Sequence, residues 1–195
     1  MSTPTQQQTY IPSKVLRTEY PLIDNDPHFN RVIAYARPSD YAHGAAAAAA
    51  GPALLYAMER FAPSHVGRGG FARAMRLGGA IGAIGGFLYF YSRSTYRFYG
   101  MTENAREVDM DMKEMVTKVK AGETLYGESK LTPHMQGVAA RQSRYSALFM
   151  YGMPWFNFVN HNQHGVDTAK YYREAERQLE AERTGSAQDD AAKLG

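Results

Sequence analysis

A mostly α fold is predicted: a two-helix transmembrane hairpin rich in glycine and alanine, preceded by an extended N-terminal arm and followed by a polar, helical and irregular C-terminal extension. Three observations carry it. Apolar residues concentrate between Tyr41 and Tyr91, with polar sequence on either side. Within that stretch, LGGAIGAIGGFLYFY (Leu77–Tyr91) places Gly78, Gly82 and Gly86 at i, i+4 and i+8, one bare strip on a helix. After Thr102 the pattern changes to apolar stripes among charges. Glycine costs roughly 1 kcal/mol relative to alanine inside an exposed helix, so three on one face point to a closely approaching backbone. In a bilayer, small residues at this spacing allow tight helix packing. A glycine-rich loop or a close-packed helix in a soluble core is the alternative.

Residues 1–40 are expected to form the arm, 41–100 the hairpin, 101–184 the extension and 185–195 a disordered tail. Met1–Thr9 is polar and expected to be disordered. Pro12, Pro21, Pro27 and Pro38 interrupt the rest of the arm, each removing an amide donor and favouring extended backbone before it. An arm laid along a partner is predicted, with a helical turn or two around His28–Ala36. The first hairpin helix is placed at 41–58, YAHGAAAAAAGPALLYAM, uncharged and just long enough for a hydrocarbon core of about 30 Å. Pro52 should kink it by releasing the Ala48 carbonyl. Glu59–Gly70 reads as a turn and 71–92 as the second helix, with aromatic residues crowding its far end in the manner of a membrane-interface belt. Arg60, Arg68, Arg73 and Arg76 cluster at one boundary, where basic pockets can hold anionic headgroups such as cardiolipin, or the side chains simply snorkel.

Further helices are placed at 102–121, 137–151 and 167–184. The first has Val108, Met112, Met115 and Val119 on one face. Between the last two lies MPWFNFVNHNQHG, whose Trp155, Phe156 and Phe158 are the expected partner-binding anchors.

Composition bounds the chemistry. The 195 residues suit one domain or a small domain with extensions, and 44% hydrophobic content excludes a polytopic transporter. A net charge of +3 without a Lys/Arg run predicts no nucleic-acid partner. The absence of cysteine excludes disulfides, thiolate zinc sites and cysteine-held iron–sulfur clusters. MSTPTQQQTYIPSK lacks signal or transit-peptide character, so no cleavable presequence is expected. His134, His161 and His164 have no partner acid at a ligand spacing and read as surface or amide-satisfied residues. Asp109, Asp111 and Glu114 read as a solvated helix face. No phosphate loop occurs, and no catalytic, cofactor-binding or metal residue is predicted.

Several long strings are more specific than any short motif. YPLIDNDPHFNRV (Tyr20–Val32), ARPSDYAHGAAAAAAGP (Ala36–Pro52), RFYGMTENAREVDMDMKEMV (Arg97–Val116), GVAARQSRYSALF (Gly137–Phe149) and PWFNFVNHNQHGVDTAKYY (Pro154–Tyr172) resemble the fungal 21 kDa accessory subunit of mitochondrial NADH:ubiquinone oxidoreductase, respiratory complex I. The resemblance covers roughly Tyr10 to Glu182. It implies a supernumerary subunit of the inner-membrane arm, beside hydrophobic core subunits of complex I, with no redox centre of its own. A subunit of a protein-translocation complex like the glycine-rich Tim17 group is the second hypothesis, though that group has four apolar segments and two are visible here. A soluble helical protein with a buried Gly/Ala hairpin is the third.

Overall fold

The computed structural model describes the backbone of residues 16–193 and side chains from 16 to 185. Every regular element among them is helical: α1 (Phe29–Ala34), α2 (Pro38–Phe61), α3 (Gly67–Phe98), α4 (Ala105–Lys120), α5 (Pro133–Ser143), a 3₁₀ turn (Ser146–Phe149) and α6 (Ala169–Lys193).

The antiparallel hairpin of α2 and α3 forms, but not as a transmembrane one. Among the described residues no helix is long and apolar enough to cross a membrane. The physical reason lies in what fills the length. Much of α2 is alanine, close to neutral in transfer to lipid, and α3 gives many positions to glycine. Arg68, Arg73, Arg76, Arg93 and Arg97 also lie within α3. The helices are longer than expected because Pro38 starts α2 at its first position and α3 runs on into the body of the protein.

The glycine strip faces α2. A β-carbon on Gly82 would lie 2.3 Å from the Ala48 carbonyl oxygen, and one on Gly86 would lie 2.4 Å from the Gly44 oxygen. Gly78 meets the Leu55 side chain. Pro52 has no amide proton to offer the Ala48 carbonyl four residues back. The hydrogen that stands in place of the Gly82 side chain points at that freed oxygen, a weak Cα–H···O contact. Helix α2 runs through Pro52 without a break.

Beyond Gly86 the end of α3 enters the main core. Phe90, Tyr91, Phe98 and Tyr99 pack with Ile23, Val32, Tyr35, Tyr145, Ala147 and Met150. Residues 16–28 form a strap across this end. Its prolines prevent a helix, so its amides find acceptors elsewhere. Ile23 and Asp24 both donate to the Phe98 carbonyl, at 2.9 and 3.1 Å, and Asn25 donates to that of His164 at 3.1 Å. Gly100 is in the left-handed region (φ 72°), and a β-carbon there would lie 2.3 Å from the Tyr20 oxygen. The described part of the arm thus lies on its own chain, where a partner surface was expected.

Helix α4 packs on α6, with Met115, Leu125 and Tyr171 buried between them. The helix expected over 137–151 is instead α5, a left-handed Tyr145 (φ 58°) and the 3₁₀ turn. At that break the Tyr145 amide donates to Asn25 of the strap at 2.8 Å. Helix α6 continues past Gly185 to Lys193, through the stretch expected to be a tail. The expectation for Met1–Thr9 lies outside the described residues.

Candidate functional site

Three features stand out once the fold is laid down: a buried ion network beneath the strap, a second at the base of the hairpin, and the uncovered surface of the hairpin itself.

Strap residues Asp24 and Asp26 form the first network with the segment after Phe156. Asp24 Oδ1 lies 2.7 Å from His164 Nδ1, and Asp26 Oδ2 lies 2.7 Å from His161 Nε2. The Ser143 hydroxyl donates to Asp26 at 2.5 Å, and the Asn157 side-chain amide donates to its carbonyl oxygen at 3.0 Å. Arg31 of α1 joins Asp24 to Asp111 and Glu114 of α4, at 3.3, 2.7 and 3.3 Å. Tyr35 and Tyr171 donate to Glu114 and Asp111, each at 2.5 Å. Burial works against the charge of every carboxylate here, and its neighbours decide the outcome. It raises Asp24, but the adjacent His164 and Arg31 outweigh it, leaving Asp24 below the ordinary value. For Asp26 and Asp111 burial wins and the value is raised.

His161 and His164 are therefore carboxylate-bonded and buried, and Asp111 sits in the interior. Of the histidines expected to be surface or amide-satisfied, His134 is exposed and His161 accepts the Gln163 amide, while His164 bonds to Asp24; of the expected solvated acidic face only Asp109 is exposed. Among the described residues, no group of three or more His, Asp or Glu is arranged to hold a metal. The oxygens nearest the histidines are already in hydrogen bonds.

The second network fixes the hairpin's base. Asp40, at the start of α2, pairs with Arg97 and, at 3.3 Å, with Arg93, both near the end of α3. It also accepts the Arg37 amide at 2.8 Å. Arg37 binds Glu107 of α4 through two nitrogens, at 2.8 and 2.5 Å. Burial opposes the charge on Asp40, but its bonds from Arg97 and the Arg37 amide hold it below the ordinary value. Sequence reasoning missed these residues because nothing local marks an acid as buried. An (i, i+3) Arg37–Asp40 pair beside a proline was the available signal.

From this base the hairpin projects. Leu54, Met58 and Phe61 on α2 are exposed, as are Leu77, Ile81 and Ile84 on α3, Phe61 by 90%. Both sets follow i, i+4, i+7 spacing, so each is an outward stripe opposite or beside the glycine-packed face. Arg60, Arg68, Arg73 and Arg76 are all exposed and lie toward the turn end. Trp155 and Phe158 are 51% and 63% exposed, whereas Phe156 packs edge-on against Tyr91 at 4.9 Å between centroids. Phe158 reaches Phe29, and Phe156 reaches Phe87, so the aromatic segment adjoins the inner end of the α3 stripe.

Fold and surface together define a small helical protein with an ion-clamped body and an uncovered apolar hairpin. Residues 17–103 match the family model described as NADH-ubiquinone oxidoreductase complex I, 21 kDa subunit, and residues 112–193 match that for the C-terminal of the same subunit. The NADH-ubiquinone oxidoreductase 20.9 kDa subunit of Neurospora crassa is 72% identical over 181 residues, covering 93% of this chain and 96% of the relative. The chain belongs to the family of 21 kDa subunits of complex I.

Proposed function

We propose that this chain is a non-catalytic accessory subunit that packs on membrane-arm core subunits of mitochondrial complex I and supports its assembly or stability. The observation that carries the proposal is the hairpin's outward apolar stripe, Leu77, Ile81 and Ile84 beside Leu54, Met58 and Phe61. A surface of this kind is characteristic of an interaction site. Trp155 and Phe158 serve as further anchors, since large exposed aromatics dominate binding energy when a partner buries them. Gly78, Gly82 and Gly86 contribute indirectly, by holding α2 and α3 close enough to present one surface. The exposed arginines Arg60, Arg68, Arg73 and Arg76 supply a basic rim for anionic phospholipid such as cardiolipin. Family membership favours this role over a Tim17-like translocase component.

One experiment tests both parts. The chain is replaced in cells by Ile81→Asp/Ile84→Asp, by Trp155→Ala or by Arg73→Gln/Arg76→Gln. Complex I is then resolved on a native gel and weighed by native mass spectrometry. The first two variants are expected to retain at least about tenfold less subunit, as loss of an interface anchor costs about 2 kcal/mol, with NADH oxidation per complex unchanged. The arginine variant is expected to stay bound but carry less cardiolipin. Wild-type retention of the aspartate and alanine variants would refute docking through this surface, and unchanged lipid would remove the headgroup role.

A further inference from the structure

The two buried histidines differ in their hydrogen-bond partners, and with Asp24 ionised those partners set different proton counts on the two rings. Both ring nitrogens of His164 lie 2.7 Å from oxygen acceptors, Nδ1 from Asp24 Oδ1 and Nε2 from the His161 carbonyl. Asp24 also accepts the Asp26 amide at 2.9 Å and Arg31 at 3.3 Å, and against burial the guanidinium beside it helps keep the carboxyl ionised, below its ordinary value. Each contact must take a proton from the ring, and a ring protonated on both nitrogens is an imidazolium. His161 differs. Its Nδ1 accepts the Gln163 amide at 3.2 Å and is therefore bare, while Nε2 donates to Asp26. The rings stack at 4.5 Å and 14°, an arrangement open to one charged and one neutral ring but costly for two cations.

We propose that the proton on His164 is a latch: while held it seats the strap on the segment around residues 157–165, and its loss releases the strap locally around Asn25. With the proton gone, one of two buried oxygens must face a lone pair. Asp24, fully buried, is then left with Arg31 and a single amide. The same short segment loses its grip on Asn25, whose amide donates to the His164 carbonyl.

The surroundings favour the charged ring. Asp24 and Asp26 face it from the strap, and Asp111 and Glu114 approach through Arg31. Lys118 of α4 and His28 line a cavity of about 340 Å³ beside it. Tyr126 stacks on its other face at 3.6 Å, and Tyr171 of α6 reaches Asp111. Burial lowers His164, but Asp24, the His161 carbonyl and Asp26 together outweigh it, so it is raised above its ordinary 6.5. A raised histidine stabilises the closed strap fully below 6.5, and this contribution is lost as pH rises through the closed-state value.

The test uses the full chain with ¹⁵N-labelled histidine, followed by long-range ¹H–¹⁵N spectra and amide exchange from pH 5 to 9. At pH 7 one ring is expected to be protonated on both nitrogens, and its signals should vanish in His164→Gln. His161 should show a neutral ring protonated on Nε2. The protection factor of the Asn25 amide should fall by about tenfold per pH unit above about 6.5, until the closed-state value is passed. In His164→Gln it should be low and flat with pH. Should that variant not fold, Asp24→Asn keeps the ring and is expected to lower its titration and narrow the window of falling protection. A neutral His164 at pH 7, or Asn25 protection independent of pH in the wild type, overturns the latch.

Discussion

At the residue scale, the chain stakes its body on charges taken out of water. Asp24, Asp40 and Glu107 are fully buried, and each is tolerable only because a cation stands against it. Removing one such cation leaves the interior charge under-compensated, Asp40 keeping only Arg93, at 3.3 Å, of its two arginines, a larger loss than the pair's net worth. Arg97→Gln is therefore expected to lower stability by about 3–5 kcal/mol in urea unfolding at neutral pH. The deficit should shrink in acid. Asp40 is held below its ordinary value of 3.8, so its contribution is present above that pH and disappears as pH falls through the folded-state value. A deficit that stays constant down to pH 2 would mean Arg97 stabilises by packing rather than charge. Little of this was legible locally, because Asp24 and His164 are 140 residues apart and Asp40 and Arg97 are 57 apart. Burial of an acid is a property of what folds over it.

At the element scale, the pairing of two long helices was legible and their inability to span a membrane was not. Glycine every fourth residue reports close backbone approach wherever it occurs, and the backbone that approaches this strip is that of α2. The spacing does not report whether lipid surrounds the pair. Alanine and glycine make a sequence look apolar while adding little transfer free energy, and the hydropathy of α2 and α3 falls short for that reason. The glycines themselves separate into two kinds. An alanine β-carbon at Gly82 would strike the Ala48 carbonyl, whereas at Gly85 it meets nothing within 4 Å. Gly85→Ala is expected to raise stability by about 0.5–1 kcal/mol through helix propensity. Gly82→Ala should lower it by about 1–3 kcal/mol through overpacking. Thermal unfolding of both variants decides, and equal midpoints would mean that α2 and α3 do not touch along this strip.

At the scale of the whole molecule, the two stretches matched by separate family models are not separate bodies. The main core takes Ile23, Val32, Tyr35 and the end of α3 from one, and Tyr145, Ala147 and Met150 from the other. What residues after 100 bury among themselves is the small cluster of Met115, Leu125 and Tyr171. So little apolar burial does not offset the entropy of ordering a chain of that length. Residues 101–195 expressed alone are expected to give a poorly dispersed amide spectrum without cooperative melting. Sharp dispersion would make that part an independent domain. The scattered apolar stripes after Thr102 made this deficit visible in sequence. The strap that makes it good was hidden, because prolines and acids there read as a segment for someone else's surface.

The strap also sets a schedule for the newborn chain. Asp24 leaves the ribosome 140 residues ahead of His164, an interval of roughly 7–30 s at ordinary rates of synthesis. Throughout it the hairpin can zip, since its partners are neighbours in sequence, while the acids of the strap stay hydrated and the aromatic end of α3 stays bare. Closure must wait for nearly the last helix, so a long-lived, sticky precursor is built into the order of the residues. Whatever shelters that precursor should recognise the end of α3 around Phe90–Tyr99, and should let go once the segment around His164 has arrived.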